Sequence, residues 1–213
     1  SREFFLVAPN GLVDSSGAPY WNATDACCDF ESDTDDSTYI RNLIEEIQSQ
    51  LNVDPKRIYV TGHSNGGFMS YRMACDHADL VAAIAPLAGA TWLDTTQCNP
   101  SEPVSVLHTH GTADPVIRFD GGCIEGDCYP GAAESVAIWS MYNGCSGRMS
   151  FGGTADYDAN RRGNETIIRQ SPNGCPDGGQ VEMLRMNGSL HSPNLTQAWS
   201  DAVIDFFYAN PKP

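Results

Sequence analysis

At 213 residues the chain is long enough for one domain with a sizeable core, and its 27 acidic against 12 basic side chains leave a net charge of −15. Lys56 and Lys212 are the only lysines, and a surface this acidic repels nucleic acid and anionic membranes, which excludes both as expected partners. No window of about 18 apolar residues is present for a membrane span, and the start lacks a basic, apolar signal segment; the chain as given therefore reads as mature or incomplete.

In chain order, the apolar run at residues 4–8, closed by Pro9-Asn10-Gly11, is expected to form a strand buried on both faces. A polar loop runs to about residue 37. Ile40, Leu43, Ile44, Ile47 and Leu51 then fall at helical spacing, and residues 52–55 end that helix. Residues 57–60 read as a short buried strand and 68–74 as a helix, with a Gly-rich turn between them. Residues 82–87 and 104–110 are apolar enough for inner parallel strands. A helix over 134–142 follows, then strands over 166–170 and 180–186 around a Pro/Gly/Cys-rich turn, and an amphipathic helix over 195–208. This alternation predicts an α/β fold, a mostly parallel sheet with helices on both faces in one domain spanning 1–213, and it places an active site at the carboxyl ends of the strands.

The turn between residues 60 and 68 carries the chemistry. Gly62-His63-Ser64-Asn65-Gly66 is a G-x-S-x-G elbow, in which small residues two before and two after the serine let strand and helix approach. The hydroxyl of Ser64 is thereby presented as a nucleophile, and the N–H of Asn65, at a helix N-terminus, is an oxyanion donor. A phosphate-cradling loop would need G-x-G-x-x-G or a Gly-Lys-Ser/Thr ending, and neither is present.

The companions of such a serine follow in the order acid, then histidine. Asp114 lies just beyond the strand that ends at His110, where it can accept the N–H of a histidine and fix its tautomer; the competing use is a turn cap before Pro115. Asp156 and Asp158 fit less well because no strand is predicted before them. Of the five histidines, His63 sits inside the elbow and His77 late in a helix, while His108 and His110 form an H-x-H pair expected to be packed and hydrogen-bonded rather than metal-bound. His191, in the loop after the last strand, is the expected general base.

Eight cysteines are too many for a cytosolic enzyme of this size and imply a secreted or periplasmic protein with up to four disulfides. Local pairing is expected for Cys123 with Cys128 and for Cys145 with Cys175, with Cys27 and Cys28 shared between Cys75 and Cys98 in an open order. Sequons at Asn22, Asn164, Asn187 and Asn194 are read as chance, although a glycan at either of the last two would crowd the site. Trp21, Trp92, Trp139 and Tyr129 are weighed between core packing and an acyl-binding cleft, with Trp21 and Trp139 carried forward as candidate substrate contacts. The acidic run Asp29, Glu31, Asp33, Asp35, Asp36 lacks the glycine and distal glutamate of a calcium loop, so neither metal nor cofactor is expected.

Asn10-Gly11, Tyr20-Trp21-Asn22, Cys27-Cys28, Val53-Asp54-Pro55, residues 59–73 and 82–89, His110-Gly111-Thr112-Ala113-Asp114, Asn143-Gly144-Cys145 and the His191 loop resemble one family over nearly the whole chain. It is the secreted polyhydroxybutyrate depolymerases and feruloyl esterases, α/β-hydrolases like those of carbohydrate esterase family 1. The resemblance implies a serine esterase with Ser64, Asp114 and His191 as its triad, acting on feruloyl, acetyl or hydroxyalkanoate esters. Members similar to this chain begin with further strands and a helix, and a His-Gly loop there supplies a second oxyanion N–H. The expected fold here lacks those strands, either because an upstream portion is missing or because the second donor comes from elsewhere. The working expectation is a secreted, monomeric ester hydrolase. A catalytically silent relative that binds polysaccharide or polymer, and an acyltransferase with the same triad, are the alternatives.

Overall fold

The computed structural model describes residues 3–14, 17–28, 33–171 and 174–213. A short hairpin of β1 (Leu12–Val13) and β2 (Pro19–Tyr20) precedes α1 (Asp36–Gln50), whose N-cap Asp35 accepts the Thr38 N–H. Then come β3 (Tyr59–His63), α2 (Asn65–Asp76), β4 (Ala83–Leu87) and β5 (Ser105–Gly111). A hairpin of β6 (Gly122–Ile124) and β7 (Asp127–Tyr129) leads to α3 (Ala132–Tyr142). The chain continues through β8 (Ser150–Ala155), β9 (Thr166–Gln170), β10 (Val181–Met186) and α4 (Gln197–Ala209).

The main sheet has six strands in the order β3-β4-β5-β10-β9-β8. β3, β4, β5 and β10 run parallel, and β9 and β8 add to them antiparallel. The fold class matches the expectation from sequence, with a mixed rather than wholly parallel sheet. Every residue of β4 and β5 is buried, and their side chains alternate between two cores. Ile84 and Val106 pack among residues of α2 and α3, whereas Ala83, Ala85 and Leu107 pack beneath Val203, Phe206 and Phe207 of α4. Helices therefore cover both faces. No described helix is long and apolar enough to cross a membrane.

Three expectations are corrected. Residues 4–8 form no strand: Phe4, Phe5, Leu6 and Val7 are exposed, and β3 is an edge strand of the sheet. Apolar composition alone does not make a strand when the segment joins no ladder. β8 is a strand absent from the expected elements, because its Gly152-Gly153 pair and mostly exposed side chains carry no apolar run. Finally, Cys27 bonds Cys28 and Cys75 bonds Cys98, so the adjacent pair is not shared with the other two; Cys123–Cys128 and Cys145–Cys175 pair as expected. Cys28 adopts φ 72°, which turns the chain sharply enough for neighbouring sulfurs to meet. Of the acidic run, Asp29 and Glu31 lie outside the described residues.

Candidate active site

Ser64 sits between β3 and α2 with φ 57° and ψ −120°, a conformation that side-chain-bearing residues rarely hold. It is over-determined by its neighbours: the Ser64 N–H donates to Leu87 O at 2.9 Å, tying the turn to the end of β4, and Ser64 O accepts from the N–H groups of Gly67 and Phe68. A Cβ on Gly62 would run into the carbonyl of Gly66, so the strand needs glycine there. A Cβ on Gly66 would meet nothing within 4 Å, so only the first of the two small residues is demanded by space. Although Ser64 is the N-cap of α2, its side chain makes no cap bond. It faces His191 instead, with Oγ 2.9 Å from Nε2.

Asp114 and His191 arrive from two paired strands. β5 and β10 are parallel neighbours with Gly111 opposite Met186, so the residues that follow each strand emerge side by side. The Thr112 N–H donates to Met186 O at 2.9 Å, Ala113 N–H to Ser189 O at 3.0 Å, and Gly188 N–H to Thr112 Oγ1 at 2.8 Å. A Cβ on Gly111 would strike the Ser189 carbonyl, so this seam requires glycine. It delivers His191 Nδ1 to within 2.8 Å of Asp114 Oδ2.

The Asp114 carboxylate is fully covered. Its Oδ1 accepts the N–H groups of Val116 at 2.8 Å and Ile117 at 3.0 Å. Burial pushes its pKa up, but hydrogen bonds from His110, His191 and Val116 outweigh burial and hold it well below the usual carboxylate range. Asp114 is therefore an acceptor only, which assigns the Nδ1 hydrogen to His191 and leaves Nε2 free to accept from Ser64.

Two neighbours steady this arrangement in ways that sequence does not reveal. His63, inside the elbow, donates from Nε2 to the His191 carbonyl at 2.7 Å, and its ring lies 4.6 Å from the His191 ring. The Asn65 side chain clamps the backbone of Trp21, accepting its N–H at 2.7 Å and donating to its carbonyl at 2.8 Å, and touches Cys27 Sγ at 3.6 Å. Trp21 is thus held against Asn65, half-buried and stacked on Tyr39. Trp139 is not at the site: it is fully buried, bonds Thr91 Oγ1 through Nε1 and packs on Tyr71, so it offers a substrate no surface. Trp92 and Tyr129 are likewise core residues. β8 does precede Asp156 and Asp158, contrary to expectation; what separates Asp158 from His191 is that its Oδ1 accepts the N–H groups of Asn160 and Asn194.

The model of the prolyl oligopeptidase family matches residues 32–120, the stretch holding Ser64 and Asp114. The chain is 34% identical over 194 residues to feruloyl esterase B of Piromyces equi, covering 87% of this chain and 33% of that protein. It is 31% identical over 160 residues to a probable feruloyl esterase C of Aspergillus niger, covering 68% and 53%. The chain therefore spans from a third to about half of these relatives. Among solved structures, the acetyl xylan esterase of Aspergillus awamori superposes with a TM-score of 0.53 at 17% identity, over 81% of this chain and 66% of that one. SOBER1 of Arabidopsis thaliana gives 0.56 at 13% identity, over 94% and 80%. These two likenesses establish the fold.

Proposed function

We propose that this chain, an α/β-hydrolase related over most of its length to feruloyl esterases, is a secreted serine carboxylic-ester hydrolase working through an acyl-enzyme on Ser64. The observation that carries the reading is the line Ser64 Oγ, His191 Nε2, His191 Nδ1, Asp114 Oδ2, with hydrogen-bond distances of 2.9 and 2.8 Å, built on a strained turn that forgoes its own helix cap.

In this mechanism His191 Nε2 takes the Ser64 proton as Oγ attacks the ester carbonyl, and Asp114 stabilises the imidazolium that forms. The Asn65 N–H, at the start of α2 and without an intrahelical acceptor, receives the negative charge on the carbonyl oxygen. His191 returns its proton to the departing alcohol, leaving the acyl group on Ser64. Water, deprotonated by His191, then releases the carboxylic acid. Four disulfides among the described residues suit an oxidising, extracellular setting. The relatives favour feruloyl or acetyl esters of plant polysaccharide as the substrate class, with hydroxyalkanoate polyesters the other member of the family range. Trp21, whose backbone the Asn65 side chain holds, is the candidate aromatic contact for the acyl group.

Stopped-flow hydrolysis of p-nitrophenyl acetate, followed by steady-state assays on methyl ferulate, acetylated xylan and polyhydroxybutyrate, tests the proposal. A burst of one equivalent of nitrophenol that is absent in Ser64→Ala is expected, with turnover of at least one of the three substrates. A folded chain with neither burst nor turnover would refute it.

A further inference from the structure

Behind Asp114 runs a buried line of polar side chains that the mechanism above does not use. Tyr71 Oη lies 2.7 Å from His108 Nδ1, and His108 Nε2 lies 3.2 Å from His110 Nδ1. His110 Nε2 lies 2.8 Å from Ile117 O and 3.4 Å from Asp114 Oδ2. Tyr71 comes from the middle of α2, the helix that begins at the nucleophile, and the two histidines come from β5, the strand that ends at the acid. All three are essentially inaccessible to solvent, in a core where uncompensated polar groups are costly.

The direction of the line follows from its end. Ile117 O and the ionised Asp114 Oδ2 can only accept, so His110 Nε2 carries a hydrogen. A neutral His110 accepts at Nδ1 from His108 Nε2–H, and His108 Nδ1 accepts the Tyr71 hydroxyl. Burial disfavours charge on His108, which agrees with this order. The single Nε2 hydrogen of His110 bonds Ile117 O at 2.8 Å and has Asp114 Oδ2 as its longer, second acceptor at 3.4 Å. That carboxylate oxygen is the one that also accepts His191 Nδ1–H, and hydrogen bonds in such a chain polarise one another.

We propose that His110, backed by His108 and Tyr71, is a positioning residue that holds Asp114 Oδ2 and tempers its pull on the His191 proton, so that the relay sets the base strength of His191. This rests on the reading of Ser64, Asp114 and His191 as a triad. The His110 hydrogen, shared between Ile117 O and Oδ2, withdraws electron density from Oδ2. Without it, the carboxylate attracts the His191 proton more strongly, and His191 holds its second proton to higher pH. The other charged or titratable groups around the pair are His63 on β3, Arg185 opposite His110 on β10, and Arg118 and Asp120, which line one cavity with Asp114. They are untouched by the variants below and contribute equally to each.

The test is the pH profile of kcat/KM on p-nitrophenyl acetate for the unmodified chain, His110→Phe, His110→Gln and Tyr71→Phe, with fluorophosphonate labelling of Ser64 in each. In His110→Phe the acid limb is expected to move up by at least about half a pH unit. His110→Gln, whose amide can donate from the Nε2 position, should abolish much of that movement. If His110→Phe does not fold, Tyr71→Phe decides, because it removes one hydroxyl with little change in packing: a smaller rise of the same limb is expected. A loss of rate at all pH values with the limb unmoved, or equal movement in the Phe and Gln variants, would overturn the relay. Failure of the unmodified chain to label would instead defeat the triad reading.

Discussion

Ser64 is held at φ 57° by bonds to β4 and α2, and strain of this kind, about 1–3 kcal/mol, persists only where surrounding contacts enforce it. His191 is restrained at two points, by Asp114 on Nδ1 and by His63 on its carbonyl. Removing the second restraint should matter in proportion to one hydrogen bond. His63→Ala is expected to lower kcat about fivefold, equivalent to about 1 kcal/mol, with KM little changed. A KM effect without loss of kcat would mean that His63 meets substrate rather than the His191 backbone. Ser64, Asp114 and His191 were legible in the sequence because each is a chemically distinctive residue just after a strand. His63 and the Asn65 side chain were not, because their partners are backbone groups of residues 128 and 44 positions away.

The elements bring these residues together through parallel pairing, and the seam between the ends of β5 and β10 is its most exacting part. Gly111→Ala would push a methyl group into the Ser189 carbonyl and displace the loop that carries His191. A misplacement of about 1 Å can cost about 100-fold, so kcat should fall by that order, with stability lowered by about 1–3 kcal/mol. Gly66→Ala is the control for stability: its Cβ meets nothing within 4 Å, so its Tm should hold or rise. Unchanged kcat in Gly111→Ala would show that the loop can shift without harm. Inner strands were readable from their continuous apolar runs, and α1 and α4 from helical spacing. Edge strands resist such reading. β8 has two glycines and largely exposed side chains, whereas residues 4–7 are apolar enough for a strand yet pair with nothing in the sheet. The partner of Cys27 depended on a single residue with positive φ, which cysteine spacing does not reveal.

For the molecule as a whole, the buried relay and the acid make stability depend on pH in a defined direction. His108 is held well below the ordinary histidine range by burial, so the unfolded chain gains a proton there that the folded chain refuses. Stability is then lost as pH falls below about 6.5. Asp114 is held below the carboxylate range by its hydrogen bonds, so its contribution is present above about pH 4 and lost as pH falls further. Urea unfolding of the unmodified chain beside His108→Phe cancels the general effect of the −15 charge. The difference between them should be constant above about pH 7 and shift against the unmodified chain below about pH 6.5, by up to about 1.4 kcal/mol per pH unit. A difference flat through that range would mean that His108 takes up its proton within the fold. The central claim, that strand ends converge on an activated Ser64, is tested most directly by intact mass after exposure to a fluorophosphonate ester, run beside Ser64→Ala. One adduct on the unmodified chain and none on the variant is the expected result; a folded chain that takes no adduct would contradict it.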